Sequence, residues 1–523
     1  MLLNLAMRRA AKLYPDNTAT IFHHERRSYK ELDARVHALA SALIEMGLKP
    51  GDKAAIYILN SPRFLEVTYA CFEAGIVIVP LNTRLAAEEL VFIINDAECS
   101  AFITDDILQP LASAFKPGLN GVRHYISVNG TGEFIDYEKT LTEFAGHRTE
   151  LSEVANGSDE VLAGLFYTSG TTGMPKGVML SHRNIWMNAL HTIAARPAEP
   201  KQVFLHAAPM FHLATFPAVI NVTMNGGAHA MLQKFDLKEL IEIIERDKVT
   251  SIVLVPTMIN FLIHHPDLNK HDLSSLRRIT YGASPMPVEL LKKSMAAFPG
   301  CEFIQGYGQT ESSPLLTTLM PEDHVTEGPA SVVRRLASCG RPILGVEVEV
   351  VNEAGIPVKI GEVGEVVARG PNVMMGYWKR PEETRETLRG GWLHTGDLAI
   401  VDEAGYIYLV DRKKDMIISG GENVFSTEVE NVIYTHPAIR EAAVIGIPDE
   451  KWGEAVSAIV TLKPGSALTD KDLIDYCAGK LADYKVPKYV EIRDGELPKS
   501  GTGKILKKEL REPYWQGKSR HIN

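Results

Sequence analysis

Cysteine is scarce: five residues in 523, at positions 71, 99, 301, 339 and 477, and no Cys-x-x-Cys. That excludes a disulfide framework and a cysteine zinc site, and fits a reducing cytoplasm. Long apolar runs are missing too. The longest, Val249 to Ile263, contains a proline and polar residues and is too short to cross a bilayer. The N-terminus places its arginines after its apolar residues and has no small-residue cleavage site, so it does not read as a secretory signal. An excess of positive charge is also lacking. Fifty-five Lys plus Arg stand against 65 Asp plus Glu, a net −10, whereas a general nucleic-acid binder leans the other way. What remains is ordinary globular composition, 45% apolar and 23% charged. At roughly 150 residues per domain, the length predicts three to four domain-sized units.

The first four hundred residues alternate helix and strand signals. Ser28 and Glu31 form a capping-box pattern ahead of Leu32, Val36, Leu39, Ala40 and Leu43, with Gly47 and Pro50 as stops. A buried-strand run, Ala54 to Leu59, follows. The unit recurs with Asp236 and Glu239 before a helix, then the strand Ser251 to Val255. Such alternation predicts a largely parallel sheet covered by helices. Near residue 340 the pattern changes. Val346 to Val350 alternates strictly, and Asn352-Glu353-Ala354-Gly355 and Asp402-Glu403-Ala404-Gly405 read as hairpin turns. The charged run Asp411-Arg412-Lys413-Lys414-Asp415 then opens a third composition. The expected fold is α/β: a large N-terminal domain of layered subdomains over 1–413, with a β-rich subdomain at about 340–413, followed by a mobile α+β domain over 414–523. Residues 480–523 hold 11 Lys plus Arg and 6 Asp plus Glu, a net +5 that leaves −15 for the rest. A basic surface is the bland reading of that tail; a face for a polyanionic ligand is the sharper one.

The most informative segment is Tyr167-Thr168-Ser169-Gly170-Thr171-Thr172-Gly173-Met174-Pro175-Lys176-Gly177, after an apolar strand. Its glycines and hydroxyls let backbone N–H groups converge on phosphate oxygens, and Lys176 adds a point charge. It is not the P-loop of NTPases, which ends in Gly-Lys-Ser/Thr. The segment resembles the phosphate-binding signature of the adenylate-forming superfamily of acyl-CoA synthetases, peptide adenylation domains and firefly-type luciferases. The resemblance continues in order through Tyr281-Gly282-Ala283-Ser284, Gln305-Gly306-Tyr307-Gly308-Gln309-Thr310-Glu311, Gly391-Trp392-Leu393-His394-Thr395-Gly396-Asp397, Asp411 to Asp415, Ser419-Gly420-Gly421-Glu422-Asn423 and Pro498-Lys499-Ser500-Gly501-Thr502-Gly503-Lys504. It covers essentially the whole chain.

The resemblance implies a two-step reaction. A carboxylate attacks the α-phosphorus of ATP, releasing pyrophosphate and leaving an acyl-adenylate; a thiol then expels AMP. It implies Thr168, Ser169, Gly170, Thr171, Thr172, Gly173 and Lys176 around the phosphates, Thr310 on the α-phosphate, and Glu311, assisted by Thr172, as the magnesium ligand. Tyr307 would stack on adenine beside Gln305 and Gly306, with Gly282, Ala283 and Ser284 letting the backbone approach the base. Asp397 and Arg412 would hold the ribose hydroxyls. Lys504, by itself an ordinary solvated lysine, becomes the cation that bridges carboxylate and α-phosphate during adenylation.

Lys504 and the thiol cannot occupy the site together, so the resemblance implies rotation of the C-terminal domain about a hinge at Lys414. Gly420 and Gly421, otherwise a plain hairpin turn, would line a pantetheine tunnel. Tyr484 and Lys488 match coenzyme A positions of some relatives, while Val486 departs from the Arg of certain aryl-CoA ligases. Trp452 reads first as a core residue. His212, in Pro209-Met210-Phe211-His212, falls beside the acyl carboxylate, and Phe216, Val255, Pro314, Leu315 and Leu316 are candidates for the acyl pocket wall. With no cation there for a second carboxylate and no Asp for an α-amino group, an apolar monocarboxylic acid, fatty or aromatic, is expected. The expected partners are that acid, ATP, Mg2+ and coenzyme A, with no nucleic acid and no transmembrane segment; a homodimer is allowed. Two alternatives stay open: an acyl-AMP ligase serving a carrier protein, and a non-catalytic nucleotide-binding protein on the same fold.

Overall fold

Ser28 and Glu31 do form the box. The Ser28 hydroxyl accepts the Glu31 N–H at 3.3 Å, and the Glu31 carboxylate accepts the Ser28 N–H at 2.7 Å. They start the helix Tyr29–Glu45, whose apolar stripe faces the core. Asp236 likewise accepts the Glu239 N–H at 2.9 Å and opens Leu237–Arg246. The computed structural model describes residues 1–147, 158–168, 174–195, 201–499 and 505–516. The expected sites Ser169, Gly170, Thr171, Thr172, Gly173 and Lys504 lie outside these described residues.

Two large sheets form the body. One orders Gly376–Tyr377, Lys176–Ser181, Leu162–Thr168, Val77–Pro80, Lys53–Tyr57, Cys99–Thr104, His124–Ser127 and Ile135–Asp136. The other orders Arg341–Pro342, Leu315–Leu319, Glu302–Gly308, Arg278–Gly282, Ser251–Leu254, Val203–His206, Ala228–Met231, Thr18–Phe22 and Glu25–Ser28. Their inner strands are parallel and three of their four edges antiparallel, while Ile135–Asp136 joins His124–Ser127 in parallel. Helix Pro62–Ala74 is apolar on almost every side and nearly all of it is buried, as an element packed on all faces must be. Of its two buried acids, Glu73 pairs with Arg8, and Glu66 is matched by Arg35 at 2.8 Å and by the Tyr137 hydroxyl at 2.7 Å. In the second sheet a stacked pair of buried histidines, His206 and His229, share a hydrogen bond of 2.9 Å, and His229 meets Thr223 at 3.0 Å.

The β-rich unit is an antiparallel sheet of Glu347–Val351, Gly364–Arg369, Trp392–Val401, Leu388–Arg389 and Ile407–Arg412. A smaller C-terminal domain follows. Its sheet contains Glu422–Val424, Ile417–Ser419, Gly453–Leu462 and Ile439–Asp449, with Tyr489–Arg493 added in parallel. Helices Ser426–Tyr434, Asp470–Ala478 and Lys507–Trp515 complete it. No helix among the described residues is long and apolar enough to cross a membrane, and all five cysteines are free.

Candidate active site

Open parallel sheets bind ligands beyond the carboxyl ends of their strands. Arg278–Gly282 and Glu302–Gly308 are parallel neighbours, and Gly282 lies opposite Gly306. A Cβ on Gly282 would stand 2.2 Å from the Gly306 carbonyl oxygen, so no other residue fits there. Ala283 follows at φ +64 and is exposed, with Ser284 half-buried beside it. Tyr307 is buried at the end of the neighbouring strand. Its hydroxyl donates to Asp397 Oδ2 at 2.8 Å. Asp397 pairs across the β-rich sheet with Arg412, and Arg412 Nε lies 3.3 Å from Asp397 Oδ1. Three residues up to 105 positions apart thus meet in one corner. Burial, then the Asp397 charge, pushes the Tyr307 phenol well up, so it stays a donor. Gln305 is half-buried on the same strand, with Oε1 unpartnered among the described residues.

The phosphate end is built from other elements. Thr168 ends the strand Leu162–Thr168 and pairs with Lys176, so the Gly-rich segment connects two antiparallel partners. Lys176 forms an ion pair with Glu383 and sits 5.2 Å from the centre of the Tyr377 ring. The Tyr377 hydroxyl donates to Glu311 Oε1 at 2.8 Å. Backbone bonds hold this arrangement: Met374 N–H to the Glu311 carbonyl at 2.9 Å and Trp378 N–H to the Gly177 carbonyl at 2.8 Å. Thr310 and Glu311 occupy one short turn, Thr310–Ser312. Among the described residues no group of three or more His, Cys, Asp or Glu could by itself hold a metal. Glu311 offers one carboxylate, the donor set suited to magnesium that takes its remaining oxygens from phosphates and water. Sequence reasoning missed Tyr377 and Glu383. The only available signal was the aromatic and acid within eight residues after the Met374-Met375 pair, which carries no spacing rule.

His212 follows the strand Val203–His206 in a tight turn, and burial pushes its imidazole down to about 4, so it is neutral. Its Nδ1 accepts the Ala214 N–H at 3.1 Å. The acyl-wall candidates separate. Pro314 and Leu315 are half-buried. Phe216 is fully buried, 5.1 Å from Phe166 edge to face, and Val255 packs in the core of the second sheet. Leu316 is fully buried among Val350, Val366 and Ala399. The side chains of these three lie in core packing.

In the C-terminal domain Gly420 and Gly421 are the two-residue turn joining Ile417–Ser419 to Glu422–Val424, at φ +63 and +88. A two-residue hairpin with both φ positive calls for glycine on its own account. Trp452 is no core residue. It is 36% exposed and lies on this turn, where a Gly420 Cβ would come within 2.9 Å of its ring. Lys451 and Lys488 approach the same indole at 4.6 and 6.0 Å. Tyr484 is exposed too, whereas Val486 is buried in the domain core. Burial pushes the Lys414 ammonium down, with Arg412 adding to the effect. Arg511 donates to the Lys414 carbonyl at 3.3 Å and pairs with Asp415 at 3.2 Å.

Two α/β sheets, one carrying a lysine beside a tyrosine and a carboxylate and the other meeting a tyrosine–aspartate–arginine corner, with a smaller C-terminal domain following in sequence, have the make-up of a nucleotide-using α/β enzyme. The chain belongs to the AMP-binding enzyme family: that family's model matches residues 7–378, and the model of the AMP-binding enzyme C-terminal domain matches 428–504. It is 39% identical over 508 residues to a feruloyl-CoA synthase of Amycolatopsis sp, covering 97% of this chain and 98% of that one. It is 36% identical over 530 residues to a long-chain-fatty-acid–CoA ligase of Bacillus subtilis (strain 168), covering 96% and 93%. Among solved structures it resembles the o-succinylbenzoate CoA synthetase of Bacillus subtilis in complex with its acyl-adenylate intermediate, with TM-score 0.83, 30% identity and 97% of both chains covered.

Proposed function

We propose that the chain is an AMP-forming acid–thiol ligase that converts an apolar monocarboxylic acid and ATP to acyl-AMP and pyrophosphate, then transfers the acyl group to coenzyme A. The observation that carries this reading is the Tyr307–Asp397–Arg412 corner beside the Lys176–Tyr377–Glu311 row, both at strand ends. A nucleoside fits the first and a phosphate chain with its cation the second. Joining a carboxylate to a phosphate brings two anions together, so placement and cationic screening matter more than a strong base. Lys176 supplies part of that screening; Lys504, swung in with the C-terminal domain about Lys414, supplies the rest. Mg2+, bound by Glu311, would neutralise the phosphates. The Trp452 face with Lys451 and Lys488, together with Tyr484, suits the nucleotide of coenzyme A. Five free cysteines support a cytoplasmic location.

One observation bears on the acid. His191 is 5% exposed, and neither ring nitrogen has a hydrogen-bond partner among the described residues. One turn earlier, the Asn188 amide bonds the backbone at Leu315. Two unsatisfied buried polar atoms are costly and call for a partner. A hydroxylated aromatic acid would provide one; a fatty acid would not. The test is carboxylate-dependent exchange of labelled pyrophosphate into ATP over hydroxycinnamates, benzoates and fatty acids of graded length, followed by addition of free coenzyme A. Exchange with one class and formation of its acyl-CoA supports the reading. Exchange that stops at acyl-AMP favours delivery to a carrier protein, and no exchange with any acid overturns the assignment.

A further inference from the structure

We infer that Lys499 and Lys507 are positioning residues for acyl-adenylate formation, two ion-paired anchors on either side of Lys504. The inference rests on the reading that Lys504 serves adenylation.

Lys499 and Ile505 form an antiparallel bridge, and the Leu506 N–H donates to the Pro498 carbonyl at 2.8 Å. The residues on either side of 500–504 therefore meet at one point of the domain. Each foot carries its own ion pair. Lys499 Nζ lies 2.5 Å from Glu441 Oε1 and 3.0 Å from Glu496 Oε2. The second Glu441 oxygen accepts the Leu497 N–H at 3.0 Å. Lys507, the first residue of Lys507–Trp515, lies 2.7 Å from Glu430 Oε1 and 2.6 Å from Ser426 Oγ. Glu430 Oε1 also accepts the Val444 N–H at 2.8 Å. Glu441 and Val444 belong to one strand, Ile439–Asp449, so both feet are referenced to the same rigid element. Ser426 passes the second anchor on to the hinge, since its hydroxyl donates to Asp411 at 3.0 Å, three residues before Lys414.

Both lysine side chains are largely covered, at 15% and 16% exposure. Burial alone would push each ammonium down. Glu441 and Glu496 outweigh it at Lys499, and Glu430, Asp411 and Asp415 at Lys507, so both are held up and charged. Buried ion pairs are poor value for stability, because apolar side chains of similar volume pack as well without desolvation. Ile505, Leu497 and Leu510 already form an apolar cluster beneath these feet. What the ions add is direction: each fixes where a foot sits along and across the strand. A residue span reaches only about 3.5 Å, so Lys504, one residue before Ile505, inherits any shift of its foot. A misplacement of about 1 Å can cost roughly a hundredfold in rate.

The test compares Lys507→Met, Lys507→Arg, Lys499→Met, the charge-free pair Lys507→Met with Glu430→Leu, and Lys504→Ala, all in the full-length chain. Pyrophosphate exchange, thiolation from supplied acyl-AMP and thermal melting are measured for each. Lys507→Met and Lys499→Met lower the kcat of exchange by about ten- to a hundredfold, while the KM for ATP and the thiolation rate stay near wild type. Lys507→Arg restores part of the loss. The charge-free pair melts like the wild type yet stays slow in exchange. If that pair regains exchange together with its melting temperature, or if both half-reactions fall equally, the lysines are merely structural and the inference is overturned. Normal exchange in Lys507→Met alongside a dead Lys504→Ala overturns the anchors alone. Normal exchange in Lys504→Ala instead overturns the reading on which they rest.

Discussion

In the corner formed by Tyr307, Asp397 and Arg412, each polar group has its partner before any ligand arrives, and the strands bearing Asp397 and Arg412 are paired in one sheet. In the C-terminal domain the corresponding groups face outward: Trp452 is 36% and Tyr484 38% exposed, and their rings meet the ammonium groups of surface lysines. In the proposed reaction the first region serves both half-reactions and would stay in place, whereas groups that serve one half-reaction each would be carried on a rotating domain.

This contrast makes distinct predictions. The largest concerns Lys504. Removing one charge-stabilising group costs about two to three decades of rate, so Lys504→Ala should nearly abolish pyrophosphate exchange and spare thiolation from supplied acyl-AMP. Equal loss in both assays would break the contrast. Asp397→Ala should damage both half-reactions alike, because Tyr307 and Arg412 lose their shared acceptor. Hydrogen bonds to charged groups contribute about 1.5–3 kcal/mol, or roughly ten- to a hundredfold in nucleotide affinity, which titration with ATP would read. If Lys414 is the pivot proposed above, Lys414→Pro fixes φ and should slow thiolation more than adenylation; an unchanged ratio of the two rates argues against a pivot there. Trp452→Ala should raise the KM for coenzyme A a few-fold, in line with cation–π contacts of about 0.5–1 kcal/mol at exposed sites, and leave exchange alone.

The smallest effect tests the rigidity of the large domain itself. Burial holds His229 down at about 3, and burial together with His229 holds His206 well below its usual value. The folded state therefore refuses protons that the unfolded chain accepts below about 6.5. Stability from this pair is complete above that pH and is lost progressively as pH falls toward about 3. The melting temperature should drop over that window, and less steeply in His229→Gln. A slope that is the same in both proteins would remove the histidines from the account.

Much of the fold was legible locally. The capping residues Ser28 and Asp236, the strand runs and the Gly-bearing turns at 355 and 405 are short-range signals, and each lies where its pattern predicted. Of the candidate site, the motif residues were legible through resemblance, and the structure brings Tyr307, Asp397 and Arg412 together while leaving the roles of Lys504 and the hinge to experiment. Tyr377 and Glu383 were not legible. They reach Glu311 and Lys176 only because Gly376–Tyr377 adds a strand beside Lys176–Ser181, a pairing across some 200 residues. Phe216 and Leu316 are hard to read for the converse reason: an apolar residue near a motif looks the same whether it faces a pocket or a core.

By itself the order of residues determined the element types, the break in composition near Lys414, and which residues carry charge, hydroxyl or freedom at φ. Those properties depend on a few neighbours along the chain. Only the tertiary structure decided that Trp452 covers a glycine turn instead of joining a core, that His191 has no hydrogen-bond partner among the described residues, and that Lys499 and Lys507 share one reference strand. These outcomes depend on which distant surfaces meet, and burial, desolvation and partner choice come into being only when they do.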